Sequence, residues 1–295
     1  MWSFIRRILK DFSEDECSVR AAALAYYTVF ALPPLLILLT LVVGVFWDPV
    51  EVERTLETQF SSLVGDEGGR AIREMLTNAK RPGAGNIIAT ILGTLALLLG
   101  AIGAFMQLQG ALNKAWEVKP DPKKGGVKQF IAKRVLSAGM ILAVAFLLMV
   151  SLAVSAVLSA LGSKLTFVPE PALYTLDLTL SLAVLTVMFA TIFRYLPDAE
   201  IAWRDVWAGA LFTSMLFVIG KFAIGFYLGR SAPGDAYGAA GALAVVLVWI
   251  YYAGMIVLLG AEFTQAWAER RGSSKKPENG AVHVEHREVV TTASQ

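Results

Sequence analysis

Charge is scarce in this chain, and so are the residues that usually do chemistry. Only 17% of its 295 residues are Asp, Glu, Lys or Arg, against about 25% in an ordinary soluble domain. The length alone would suit two soluble domains of ~150 residues, but so few charges cannot dress two water-facing surfaces. One cysteine, Cys17, excludes an internal disulfide and a cysteine-based zinc cluster. The two histidines, His283 and His286, sit in a polar tail with no acid cluster to complete a metal site. A net charge of +2 argues against an electrostatic nucleic-acid binder. A glycine-rich phosphate loop, a His-Glu-x-x-His pair and a Gly-x-Ser-x-Gly elbow are all missing from the sequence. The expectation is a protein that is not an enzyme, with no cofactor, no metal, no catalytic residues and no nucleic-acid partner.

What is abundant is apolar: 56% of the residues are hydrophobic, too many for a disordered chain. They fall into long runs. A bilayer core of about 30 Å takes roughly 20 helical residues. Ala21–Trp47, Pro82–Asn113, Val135–Ser163 and Ala236–Ala261 exceed that without a charge up to their ends, Pro171–Phe193 holds only Asp177, and Val206–Gly229 holds only Lys221. The fold class is therefore all-α: a polytopic membrane protein with six transmembrane helices, at about 21–47, 86–112, 135–162, 172–194, 204–228 and 237–266. Residues 1–267 make the membrane domain, and 268–295 read as a disordered cytoplasmic tail. The first run is too long for a signal peptide and reads as a retained anchor.

Lys and Arg set the orientation. Of the 26, eighteen lie on the face shared by the N-terminus, the second and fourth connections and the tail; seven lie opposite and Lys221 lies within a span. Both termini are thus expected in the cytoplasm, in a multi-pass protein of the bacterial plasma (inner) membrane. Trp47, Trp116, Trp203, Trp207 and Trp267 fall near span ends, where an indole sits best.

Two connections carry patterns of their own. In the first external loop, Val52, Leu56, Phe60 and Leu63 share one helical face, glycines follow, and Ile72, Met75 and Leu76 start another. Two short amphipathic helices are expected there. The basic cytoplasmic loop at 119–134 sets topology and suits anionic headgroups of membrane lipids.

Ionisable groups inside a span each need a reason, since one at mid-bilayer costs about 2.5–3.5 kcal/mol by insertion scales. Asp177 and Lys221 are placed in the same half of the membrane, where neighbouring spans can pair them; separate snorkelling of each to the interface is the alternative. Glu262 and Arg20 stand at similar depth at the cytoplasmic end and suit a clamp or a transport site. Pro33 and Pro34 interrupt the first span near its middle and are expected to kink it. The small residues from Gly238 to Ala242 permit close helix approach.

Three segments together resemble a known family: Arg20–Leu36 (RAAALAYYTVFALPPLL), Leu108–Trp116 (LQGALNKAW) and Tyr237–Phe263 (YGAAGALAVVLVWIYYAGMIVLLGAEF). The chain is similar to the YihY/BrkB family of bacterial inner-membrane proteins over nearly everything except the tail. The resemblance implies six spans, cytoplasmic termini, and signature positions at Arg20, Tyr26, Tyr27, Pro34, Asn113, Tyr237, Gly238, Gly260 and Glu262, none of them catalytic. It also implies a link to envelope biology and lipid export; an old ribonuclease label attached to some members finds no support in these residues. The expected function is a non-ATP-driven transporter or translocator of a lipid-like or envelope component. A cation or proton antiporter and a non-transporting scaffold for envelope machinery are the alternatives.

Overall fold

In the computed structural model, residues 2–45, 47–64, 66–80, 87–121, 170–231, 241–273, 276–277 and 281–283 are described. Five long helices dominate them: α2 (Cys17–Val43), α5 (Ile87–Ala115), α6 (Glu170–Tyr195), α7 (Trp203–Ser231) and α8 (Gly241–Arg270). Three shorter helices are α1 (Trp2–Glu14), α3 (Pro49–Val64) and α4 (Asp66–Lys80). Short strands β1 (Val118–Pro120), β2 (Ala199–Glu200), β3 (Lys276–Pro277) and β4 (Ala281–His283) complete the set.

The protein is a membrane protein by the physics of its helices. Leu178–Tyr195, Trp203–Ile224 and Leu243–Arg270 are long and apolar enough to cross a bilayer. At 27 and 29 residues, α2 and α5 also have the length, about 40 Å at 1.5 Å per residue. The run expected to span at 135–162 lies outside the described residues.

Helix α2 does not end at Pro33-Pro34 but continues from Cys17 to Val43. Each proline deletes only its own N–H. The neighbouring backbone groups, set among apolar side chains, have no better partner than the helix itself.

Helix α8 is the hub, packed against α1, α2, α3, α4, α5 and α7. Its seam with α7 is a reciprocal interlock. A Cβ on Gly209 would run into the Thr264 side chain, and one on Gly260 would run into Thr213. Each threonine hydroxyl donates back to the carbonyl of the glycine four residues earlier in its own helix, Thr213 to Gly209 at 2.7 Å and Thr264 to Gly260 at 2.6 Å. Both hydroxyls are therefore satisfied without solvent, and the two helices close to backbone distance. On the other side, α2 meets α5 where Tyr27 lies over Gly103, with a Cβ there only 2.6 Å from the ring.

Helix α1 was not among the expected elements. It buries Ile8 and packs Phe4 edge-on against Phe263 and Trp267 of α8, with ring centroids 5.7 and 6.5 Å apart. Trp2, Ile5 and Leu9 stay exposed along its other flank. Helices α3 and α4 are joined by Arg73, which donates to both carboxylate oxygens of Glu57. Ile72 and Leu76 of α4 are buried against Leu36 of α2.

The tail does more than trail away. After Arg270 it turns through Gly272 at φ +73°, β3 pairs antiparallel with β2, and β4 pairs with β1 in the register Val118↔His283, Lys119↔Val282, Pro120↔Ala281.

Candidate functional site

The charged and polar residues of interest gather at one end of the bundle, where α2 begins and α5 and α8 finish. The turn between α1 and α2 positions the first of them. Asp15 N–H bonds the Asp11 carbonyl at 2.9 Å, and Glu16 N–H bonds that of Ser13 at 3.1 Å. Glu16 then reverses the chain in the left-handed region at φ 53°. This aims the Asp15 carbonyl back at α2, where Arg20 Nε donates to it at 2.9 Å. The Asp15 carboxylate pairs with Lys114 near the end of α5 at 3.4 Å. Helix α5 is itself ended by Glu117 at φ 52°. A non-glycine residue in this region costs on the order of 1–2 kcal/mol. Among the described residues these are the only two, and both flank this end of the bundle.

Glu262 lies deeper, 1% exposed on α8. The clamp expected with Arg20 does not form. Arg20 is committed to the Asp15 carbonyl, and the group that reaches Glu262 is the Cys17 thiol, which donates to Oε1 at 3.5 Å. Glu262 Oε2 is buried with no hydrogen-bond partner among the described residues. The Asp15 and Asp11 carboxylates approach it from the α1 side.

Asn113, one turn from the end of α5, is locked to the α6–α7 connection. Its Nδ2 donates to Asp198 Oδ2 at 2.9 Å, and its Oδ1 accepts from the Asp198 backbone N–H at 2.7 Å. Gln109, one turn earlier, adds a weaker contact to Asp198 Oδ1 at 3.4 Å. Arg194 donates to the Ile201 carbonyl, closing the same connection. Outside the bundle, Arg7 of α1 pairs with Asp11 and with Glu269 of α8. Partial burial works against the Arg7 charge, but the Glu269 bond and the two nearby carboxylates outweigh it and raise the guanidinium above its ordinary value.

Of the residues singled out in the sequence, Arg20, Asn113 and Glu262 are thus brought to one end. Gly260 is a packing residue against Thr213, Tyr26 is exposed on α2 with its ring against Tyr27 and Phe30, and Pro33 is half-buried within α2. Lys221 is half-buried on α7. The side chains of Asp177 and Pro34, all of Tyr237 and Gly238, and residues 122–134 of the basic loop lie outside the described residues. So, therefore, does the expected Asp177–Lys221 pair. Asp15, Cys17, Lys114 and Asp198 went unrecognised in the sequence. A Leu-Pro-Asp turn at 196–198 marks Asp198 as a chain reversal, and Cys17 carries the one signal of being the lone thiol at a helix start. Among the described residues, no three metal-ligating side chains converge.

The family described as Virulence factor BrkB matches residues 8–284 of this chain. The chain belongs to the BrkB family. Similar BrkB-type proteins include a UPF0761 membrane protein of Verminephrobacter eiseniae (strain EF01-2), 30% identical over 89% of this chain and 62% of the relative. One from Stenotrophomonas maltophilia (strain R551-3) is 31% identical over 91% and 62%, and one from Alcanivorax borkumensis (strain ATCC 700651 / DSM 11573 / NCIMB 13689 / SK2) is 30% identical over 90% and 60%. The chain spans about three fifths of the length of the curated relatives it matches. No solved structure matches it.

Proposed function

We propose that this BrkB-family membrane protein is a non-enzymatic, non-ATP-driven translocator of a lipid-like envelope component in the bacterial inner membrane. The reading includes six spans with both termini cytoplasmic. The observation that carries it is Glu262: a carboxyl group 1% exposed on an apolar helix, with Oε2 unpartnered and no cation paired to it among the described residues. An ionisable group retained inside an apolar span is costly and is by default a candidate for a pathway or relay. A basic mouth lies close by, with Arg20 and Lys114 both tied to Asp15.

The same carboxyl group favours one second reading, a proton or cation antiporter in which Glu262 carries the coupling proton. Proteoliposomes holding the full chain separate the two. Movement of a fluorescent phospholipid between leaflets supports translocation, and a pH-driven cation flux without lipid movement supports the antiporter. Glu262→Gln keeps the size and loses the charge, and it is expected to cut the transported flux at least tenfold while the protein still purifies folded. A wild-type protein that moves neither lipid nor ion overturns both.

A further inference from the structure

Between the start of α2 and the end of α5 lies a cavity of about 300 Å³, lined by Arg20, Gly110, Asn113, Lys114, Glu117 and Lys119 among others. We propose that it is a binding site for a phosphate group, carried by an anionic phospholipid headgroup or supplied as free phosphate.

Its charges are unequal in number and in commitment. Three cations face one acid, Glu117. Lys114 is balanced by Asp15 at 3.4 Å. Arg20 is different: its Nε is fixed on the Asp15 carbonyl, so the guanidinium plane is held, while Nη1 and Nη2 meet no acceptor among the described residues. A held guanidinium edge with two free donors is the geometry that takes a tetrahedral oxyanion bidentately. Lys119 stands exposed on β1 with no carboxylate partner among the described residues, and pairing of β1 with β4 fixes its place on the rim.

Asn113 and Gly110 shape the floor. Asn113 is spent on Asp198 and so is rigid, and Gly110 has open space where a side chain would stand. The volume sits at the bottom of the 300–1,000 Å³ range of small-molecule pockets, which suits a headgroup rather than a whole lipid. Asp15 and Glu117 both disfavour a highly charged ligand, so a singly charged phosphodiester fits better than a dianion.

The inference concerns binding and stands whether or not anything is transported. The full chain in detergent is titrated with inorganic phosphate and, separately, with short-chain phosphatidylglycerol in mixed micelles, with decanoate as the carboxylate control. Saturable binding of phosphatidylglycerol that inorganic phosphate does not compete assigns the site to a headgroup. Competition by inorganic phosphate assigns it to the free ion. In either case Arg20→Gln and Lys119→Gln are each expected to weaken binding at least tenfold, and Arg54→Gln on the distant α3 to change nothing. Lys119 is exposed, so its variant reports even if Arg20→Gln fails to fold. Binding of neither probe, equal binding of decanoate, or affinities that ignore Lys119→Gln overturn the proposal.

Discussion

Asn113 shows what a single amide can hold. It satisfies both the carboxylate and the backbone N–H of Asp198, and both residues are at least nine-tenths buried. Truncation removes both hydrogen bonds, one of them to a buried carboxylate and one to a backbone N–H, at about 1–3 kcal/mol each. Asn113→Ala is therefore expected to lower the stability of the purified protein by about 2–4 kcal/mol, read as a clear drop in the thermal unfolding midpoint. Asn113→Asp should cost at least as much, because it sets a second carboxylate against the first. An unchanged midpoint for both variants would remove Asn113 from the scaffold of the basic end. Arg20, Asn113 and Glu262 were legible as candidates from the family-like segments, but their partners were not. The Arg20–Glu262 clamp looked natural because both sit at similar depth. The left-handed turn at Glu16 redirects Arg20 to a backbone carbonyl, and sequence spacing does not encode that turn.

At the scale of elements, each of the helices α6, α7 and α8 overlaps one of the long hydrophobic runs and extends past it at one end or both. Composition carries that information because a single segment in hydrocarbon can satisfy all its backbone groups internally only as a helix. Helix punctuation reads differently in an apolar setting. Two prolines in water would end a helix, whereas α2 runs through them. Amphipathic α1 escaped notice because its buried face, Phe4 and Ile8, is so short. The small residues at 238–240 lie outside the described residues; the close approach that the described residues show is the interlock of Gly209 with Thr264 and of Gly260 with Thr213. Gly260→Ala forces a methyl group into Thr213 and should cost about 1–3 kcal/mol, the usual range for overpacking. Thr213→Ala in the same chain removes the hydroxyl and the methyl it strikes and should recover part of the loss. Failure of the double variant to recover any thermal stability would show that Gly260 acts otherwise than through this seam.

For the whole molecule, the unequal distribution of Lys and Arg makes a statement about sidedness that a labelling experiment reads directly. The native Cys17 is 1% exposed and leaves a low background for membrane-impermeant thiol reagents. Cysteines introduced at the exposed positions Ser3 and Glu200 are expected to label from the cytoplasmic side, and one at exposed Glu74 of α4 from the opposite side. Labelling of all three from one face would overturn the six-span orientation. The pairing of β4 with β1 gives the molecule one more property. Residues 281–283, at the far end of the chain, sit directly across the ladder from residues 118–120, so Lys119 is held in place by a segment more than 160 residues away in sequence. A tag or truncation that disturbs residues 281–283 is therefore not neutral for this protein: whatever takes hold of β4 also takes hold of the rim of the basic cavity.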